Sequence, residues 1–139
     1  YMVKKIENII EEVNGKTFAV LGLSFKPNTD DMREAPSITI INELVKQGAK
    51  CRVYDPAAME EAKWRLLGIQ ESIYYCSEEY ETLKDANALI ILTEWNQFRH
   101  LDFDRVKALL KQPILFDFRN IYSRNDIEEK GFVYVGVGQ

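Results

Sequence analysis

The chain has 139 residues, of which 46% are hydrophobic and 29% charged, and its formal net charge is −4. Such a chain is long enough to bury one core without disulfides or metals. The negative charge and the absence of a basic stripe exclude a nucleic-acid footprint, and no signal peptide or apolar run of membrane length is present. Cys51 and Cys76 lack C-x-x-C spacing and are interpreted as small buried hydrophobes in a reducing compartment. Together these features predict a cytoplasmic α/β domain.

The first predicted element is an amphipathic helix over residues 2–13. Its apolar face is formed by Met2, Ile6, Ile9, Ile10 and Val13, and lysines and glutamates lie opposite. The pattern has no N-cap signal and ends at Asn14-Gly15, a typical helix stop. We therefore expect residues 1–14 to be the end of a longer helix, and a native first helix is the alternative.

Beyond residue 15, predicted strands and helices alternate. Strands are predicted at residues 17–23, 50–54, 73–75, 88–92, 114–116 and 132–135. Helices are predicted at 37–47, 56–67, 102–111 and 124–130, with one more ending near residue 85, and with Ser37, Asp55 and Ser77 as N-caps. This alternation is typical of βαβ units. The predicted fold class is α/β, a Rossmann-like three-layer sandwich with a mostly parallel, doubly wound sheet.

Three cations follow predicted strands. Lys26 and Arg33 lie seven positions apart in the loop after the first strand, and Arg119 follows the strand at 114–116. Because parallel strands open their carboxyl ends on one sheet edge, we expect the three to converge there, where they suit a diphosphate. The loop lacks the G-x-G-x-x-G pattern, so side chains are expected to contact the phosphates. The alternative is that these are solvated surface cations paired with nearby acids.

The remaining polar candidates have structural explanations. The paired carboxylates Asp30 and Asp31 are expected to orient Arg33 rather than bind a metal. Asp55 lies too far from the glycine turn for a ribose-binding acid, so helix capping is the preferred interpretation. His100 has no evident catalytic partner and is expected at the surface. The sequence therefore predicts no catalytic residue and no metal site on this chain.

Residues 20–37 strongly resemble the start of the C-terminal domain of the UDP-glucose/GDP-mannose dehydrogenase family. Three further segments agree with that family, namely Val53-Tyr54-Asp55-Pro56, Thr93-Glu94-Trp95 with Phe98, and Phe116-Asp117-Phe118-Arg119-Asn120. The resemblance covers essentially residues 15–135. Asn28-Thr29 is closer to members that oxidise UDP-glucose than to those that oxidise UDP-N-acetylmannosamine or GDP-mannose.

The resemblance implies an NAD-dependent enzyme with an N-terminal NAD-binding domain, a central helix that forms a homodimer, and a UDP-sugar-binding domain at residues 15–139. It implies that Phe25, Lys26 and Arg119 contact the UDP-sugar and that Arg33 contacts the NAD pyrophosphate. The family's cysteine motif is missing, so the isolated chain is expected to be inactive. A receiver-type regulator fits poorly, because the first strand exits into Ser24-Phe25-Lys26 instead of an acidic cluster. A non-catalytic nucleotide-binding module remains an alternative.

Overall fold

A six-stranded parallel sheet forms the centre of the molecule in a computed structural model that describes residues 1–138. The strands are β1 (Thr17–Leu21), β2 (Lys50–Tyr54), β3 (Ile73–Tyr75), β4 (Ala88–Ile91), β5 (Ile114–Asp117) and β6 (Val133–Gly136). Their order across the sheet is β3-β2-β1-β4-β5-β6, and every neighbouring pair is parallel. The predicted doubly wound topology is confirmed, and the sheet is wholly rather than mostly parallel.

Helices cover both faces of the sheet. They are α1 (Met2–Ile9), α2 (Pro36–Lys46), α3 (Met59–Arg65), α4 (Glu79–Leu83), α5 (Phe103–Leu109) and α6 (Arg124–Glu129), with 3-10 helices at Leu67–Ser72 and Asn96–His100. Phe18 and Val20 point to a core shared with α1, α2 and α3, whereas Ala19 and Leu21 point to a second core shared with α4, α5 and α6. Strands buried on both faces explain the continuous apolar runs in the sequence.

The first helix is shorter than predicted. It ends at Ile9, and Ile10 has extended backbone angles (φ −100°, ψ 97°). Ile10 and Val13 are nevertheless buried in the core next to α2. The apolar spacing therefore reflects burial of an extended segment as well as a helix face. Whether this helix belongs to a longer one remains a prediction.

Of the three predicted helix caps, Ser37 is wrong by two residues and Ser77 by one. Ala35 is the N-cap of α2, and the hydroxyl of Ser37 instead donates to the carbonyl of Leu23 (2.6 Å). Glu78, rather than Ser77, caps α4 by accepting from two backbone N–H groups. The hydroxyl of Ser77 also has a competing partner, since it donates to Oε1 of Glu81 (2.8 Å). The tertiary hydrogen bond at Ser37 ties α2 to the end of β1.

Candidate functional site

The sheet order reverses between β1 and β4, and ligands of open α/β sheets bind beyond the carboxyl ends of the strands at such a point. A cavity of about 600 Å³ lies there. Its walls come from the exit loops of β1 and β4, through Pro27, Asn28, Glu94, Trp95, Asn96, Gln97, Arg99 and His100. His100 is exposed, as expected, but it also lines this cavity.

The two exit loops touch because of a glycine at the end of β1. Gly22 has φ +100°, a backbone conformation that side chains disfavour. A Cβ atom at this position would lie 2.5 Å from the backbone nitrogen of Thr93, just after β4. Gly22 is therefore required both for the turn and for the close approach of the two loops.

A buried carboxylate holds the base of the β1 exit loop. Asp55 follows β2 and is 1% exposed. One of its oxygens, Oδ2, accepts hydrogen bonds from the backbone of Leu23 (2.7 Å) and from the backbone and hydroxyl of Ser24 (3.0 and 2.9 Å). The same oxygen accepts from the indole N–H of Trp95 (3.2 Å), so one carboxylate joins the exit loops of β1, β2 and β4.

The prediction that Asp55 is the N-cap of α3 is wrong, because α3 begins at Met59 and its N-cap is Ala58. The second oxygen of Asp55, Oδ1, accepts from the backbone N–H groups of Ala57 and Ala58 (2.8 and 2.9 Å). These bonds stabilise a turn, since α3 begins later, at Met59. With both oxygens occupied and the residue buried, Asp55 is not available to a ribose.

The tip of the β1 exit loop is exposed, whereas its base at Leu23 and Ser24 is buried. The backbone N–H of Phe25 donates to the carbonyl of Asp31 (2.7 Å), which closes the loop, and the Phe25 side chain is 47% exposed. Lys26 is exposed, and within residues 1–138 its side chain makes no hydrogen bond or ion pair. The unpaired cation of Lys26 and the exposed ring of Phe25 thus face solvent, next to a segment that is bonded to Asp55.

Arg33 lies on the far side of the same loop and is held by Asp31. Two side-chain hydrogen bonds of 3.0 Å join the guanidinium to both carboxylate oxygens, and the Arg33 backbone donates to one of them (2.9 Å). These bonds lower the pKa of Asp31 to about 2 and raise the pKa of Arg33. Asp30 is exposed and makes no hydrogen bond within the described residues, so Asp31 alone orients Arg33 here.

The loop separates two clefts. Pro27 and Asn28 line the cavity at the β1–β4 edge, whereas Arg33 lines a second cleft of about 360 Å³ against α3. The second cleft is formed by Thr29, Asp30, Asp31, Arg33, Glu61 and Arg65. Lys26 and Arg33 come from one loop, but they do not meet in one cavity, which the sequence spacing could not reveal.

Arg119 is paired with a glutamate that sequence reasoning had assigned no role. Its Nη2 donates to Oε2 of Glu94 (2.7 Å), and the two side chains are 30% and 27% exposed. Burial alone would raise the pKa of Glu94, but the hydrogen bond and charge of Arg119 lower it overall. The β4 and β5 exit loops are thereby joined, and Arg119 is held at the edge of the cavity that Glu94 lines.

Within residues 1–138, neither cysteine suits a nucleophile and no group of side chains suits a metal ion. Cys51 and Cys76 are free and buried, and burial raises the pKa of each thiol to about 12. Among residues 1–138 there is no group of three side chains suited to hold a metal ion. Nor does any helix in that range have the length and apolar character needed to cross a bilayer.

Sequence reasoning missed Asp55 and Glu94 as parts of the site. A signal for their location was present, because Asp55 directly follows β2 and Glu94 lies in the exit loop of β4. Residues at the carboxyl ends of parallel strands are those most able to reach a ligand or one another.

A doubly wound parallel sheet with exposed cations at its switch-point edge defines an α/β domain of the kind that binds phosphorylated ligands. Residues 19–124 match the UDP binding domain of the UDP-glucose/GDP-mannose dehydrogenase family. The chain belongs to this family.

Relatives of known identity agree with this assignment. The UDP-glucose 6-dehydrogenase of Rhizobium meliloti is 45% identical over 92% of this chain, which spans 28% of that relative. A UDP-glucose dehydrogenase structure from Pyrobaculum islandicum superposes with a TM-score of 0.80 at 31% identity, covering 99% of this chain and 28% of its own. The structure of an NDP-N-acetyl-D-galactosaminuronic acid dehydrogenase from Methanosarcina mazei also superposes with a TM-score of 0.80, at 26% identity. The match covers 99% of this chain and 27% of that one. The chain thus spans less than a third of these three relatives.

Proposed function

We propose that this chain is the C-terminal, UDP-sugar-binding domain of an NAD-dependent UDP-glucose 6-dehydrogenase that resides in the cytoplasm. The whole enzyme would oxidise UDP-glucose to UDP-glucuronate with two molecules of NAD and one of water. The observation that carries the proposal is the unpaired Lys26, exposed at the sheet edge where this fold binds ligands. Identity of 45% to a UDP-glucose 6-dehydrogenase supports the choice of substrate.

In this proposal the cavity edge between β1 and β4 receives the UDP-sugar. Lys26 would offset the negative charge of the diphosphate, and Phe25 would cover the ligand with its exposed ring. Arg119 would donate hydrogen bonds from guanidinium nitrogens other than the one bound to Glu94. By fixing the ligand in one orientation, such contacts lower the entropic part of the reaction barrier.

NAD would accept the hydride in each oxidation step, and Arg33 is the residue proposed to contact its pyrophosphate. The fit is supported by the geometry of the side chain, which is 79% exposed and anchored on one side to Asp31. An arginine held in this way keeps its orientation while its outer N–H groups remain accessible to an anion. The separate cleft around Arg33 keeps this contact apart from the proposed UDP-sugar contacts.

The essential chemistry would come from the remainder of the longer protein. In the proposed reaction the sugar is oxidised through a thioester on a cysteine, as the family resemblance implies. Both thiols of this chain are buried with raised pKa values, so neither is a candidate for that cysteine. We propose an N-terminal NAD-binding domain as the partner of this one, and a homodimer formed through a central helix of which α1 is the end.

The test uses the full-length protein with UDP-glucose, UDP-N-acetylmannosamine or GDP-mannose, and NADH formation as the readout. We expect turnover with UDP-glucose and about two NADH per UDP-glucuronate, as the proposed stoichiometry requires. A preference for another sugar nucleotide would contradict the substrate assignment but keep the family. In parallel, the 139-residue chain should bind UDP and form no NADH. NADH formation by the chain alone would contradict its assignment as a binding domain.

A further inference from the structure

A buried hydrogen-bond network lies directly behind the loop that carries Lys26. We propose that Asp55, Ser24 and Trp95 act as positioning residues, which hold the Phe25–Lys26 tip at the distance and angle that a sugar diphosphate requires. This inference rests on the proposed function, because it assigns residues that act on UDP-sugar binding through Lys26. None of the three is a surface cation or a member of the phosphate-contacting set.

Ser24 is the centre of the network, and each of its polar groups is bonded. Its backbone N–H and hydroxyl donate to Oδ2 of Asp55 (3.0 and 2.9 Å). Its carbonyl accepts from the hydroxyl of Thr93 (2.7 Å), and its hydroxyl oxygen also accepts from the indole N–H of Trp95 (3.2 Å). Ser24 is 1% exposed, so water cannot replace these partners. The residue that precedes Phe25 is therefore fixed from three directions.

The network also reaches the cavity. Trp95 bonds to Asp55 and Ser24 through its indole N–H, and it lines the cavity at the β1–β4 edge. A ligand that contacts the cavity wall and Lys26 thus contacts two segments joined through one carboxylate. Movement of the β4 exit loop cannot occur independently of the β1 loop while these bonds persist. The network therefore sets the separation between the cavity wall and the cation.

If these residues position the loop tip, replacing one of them should weaken binding of UDP-glucose and leave binding of NAD unchanged. Removal of the Ser24 hydroxyl should loosen the loop tip and weaken UDP-glucose binding. Arg33 is anchored separately by Asp31, so NAD binding should be unaffected. A purely structural role would instead lower stability without a selective change in the Michaelis constant for UDP-glucose.

The experiment compares Ser24→Ala with Thr82→Val in the full-length protein. Thr82 is a matched control, because it is fully buried and its hydroxyl donates to the carbonyl of Glu79 (2.6 Å) within α4, outside this network. Kinetic constants for UDP-glucose and NAD are measured with the thermal midpoint of each variant. Asp55→Asn is the stronger variant and Ser24→Ala the milder one, which keeps the test informative if the former does not fold.

We expect Ser24→Ala to raise the KM for UDP-glucose by up to about tenfold, the limit reached if the whole net value of a lost internal hydrogen bond is expressed in ligand binding. The KM for NAD should stay within about twofold of wild type on the same reasoning. Thr82→Val should lower the thermal midpoint without changing either constant. The positioning role is overturned if Ser24→Ala leaves the KM for UDP-glucose unchanged, or raises both constants equally. A wild-type protein that does not turn over UDP-glucose refutes the proposed function instead, so the two failures are distinguishable.

Discussion

Replacement of Lys26 by alanine should weaken ligand binding without changing the stability of the fold. The side chain is exposed and makes no hydrogen bond or ion pair within residues 1–138, so its loss removes no internal contact. We expect the free energy of unfolding to change by no more than about 0.5 kcal/mol, as is usual for such surface positions. A large fall in kcat/KM of the variant would then be due to a lost contact with the ligand and not to unfolding.

The expected kinetic effect follows from the charge of one lysine against a diphosphate. A pair of unit charges at about 4 Å interacts by about 4 kcal/mol near a protein surface, before desolvation is counted. The net value of a charge-assisted hydrogen bond is about 1.5–3 kcal/mol. Since about 1.4 kcal/mol is a factor of ten, Lys26→Ala should lower kcat/KM for UDP-glucose about 10- to 150-fold.

The assay is steady-state NADH formation by the full-length protein with UDP-glucose varied. Lys84→Ala is the matched control, because Lys84 is also exposed but follows α4 at the opposite, amino-terminal edge of the sheet. Lys26→Arg keeps the charge and should recover part of the lost activity. A kcat/KM of Lys26→Ala equal to that of wild type would refute the role assigned to this side chain.

Three further outcomes are expected. Arg33→Ala should raise the KM for NAD about tenfold or more and leave that for UDP-glucose unchanged; an unaltered NAD dependence would exclude the proposed contact. The lowered pKa of Asp31 means that its bond to Arg33 stabilises the loop above pH 3.8 and is lost as the pH falls through about 2. An NMR titration of Asp31 should therefore have a midpoint near 2 that returns towards 3.8 in Arg33→Ala. Gly22→Ala should destabilise the fold by at least about 2 kcal/mol in denaturant unfolding, whereas Gly68→Ala, with nothing within 4 Å of its Cβ, should not; equal stability of the two variants would contradict the close approach.

The sequence predicted the sheet well because its strands are buried on both faces. Residues 88–92 form a continuous apolar run, and the strand occupies Ala88–Ile91. The parallel topology then followed from the alternation of strands and helices, and it placed the carboxyl ends of the strands on one edge. The loops that carry Lys26, Arg33 and Arg119 could therefore be assigned to that edge from their positions after strands alone.

The internal partners of the site were not predictable, because they depend on contacts between distant segments. Asp55 bonds to Ser24 and Trp95 across separations of 31 and 40 residues. Glu94 bonds to Arg119 across 25. For Asp55, local spacing favoured the role of a helix cap, and for Glu94 it indicated no role. Only the packed sheet reveals that the exit loops are joined by carboxylates.

The three cations differ in the charge that they present to an anion. Arg33 and Arg119 each form an ion pair with a carboxylate, which fixes the guanidinium but cancels much of its field at a distance. Lys26 has no such partner within residues 1–138, so at this edge its charge remains uncancelled. Of these three cations, Lys26 should therefore attract an approaching diphosphate most strongly, and Arg33 and Arg119 should contribute directional hydrogen bonds once it has arrived. Because exposed charges are screened by salt, the ionic-strength dependence of kcat/KM for UDP-glucose should be reduced in Lys26→Ala and retained in Lys84→Ala.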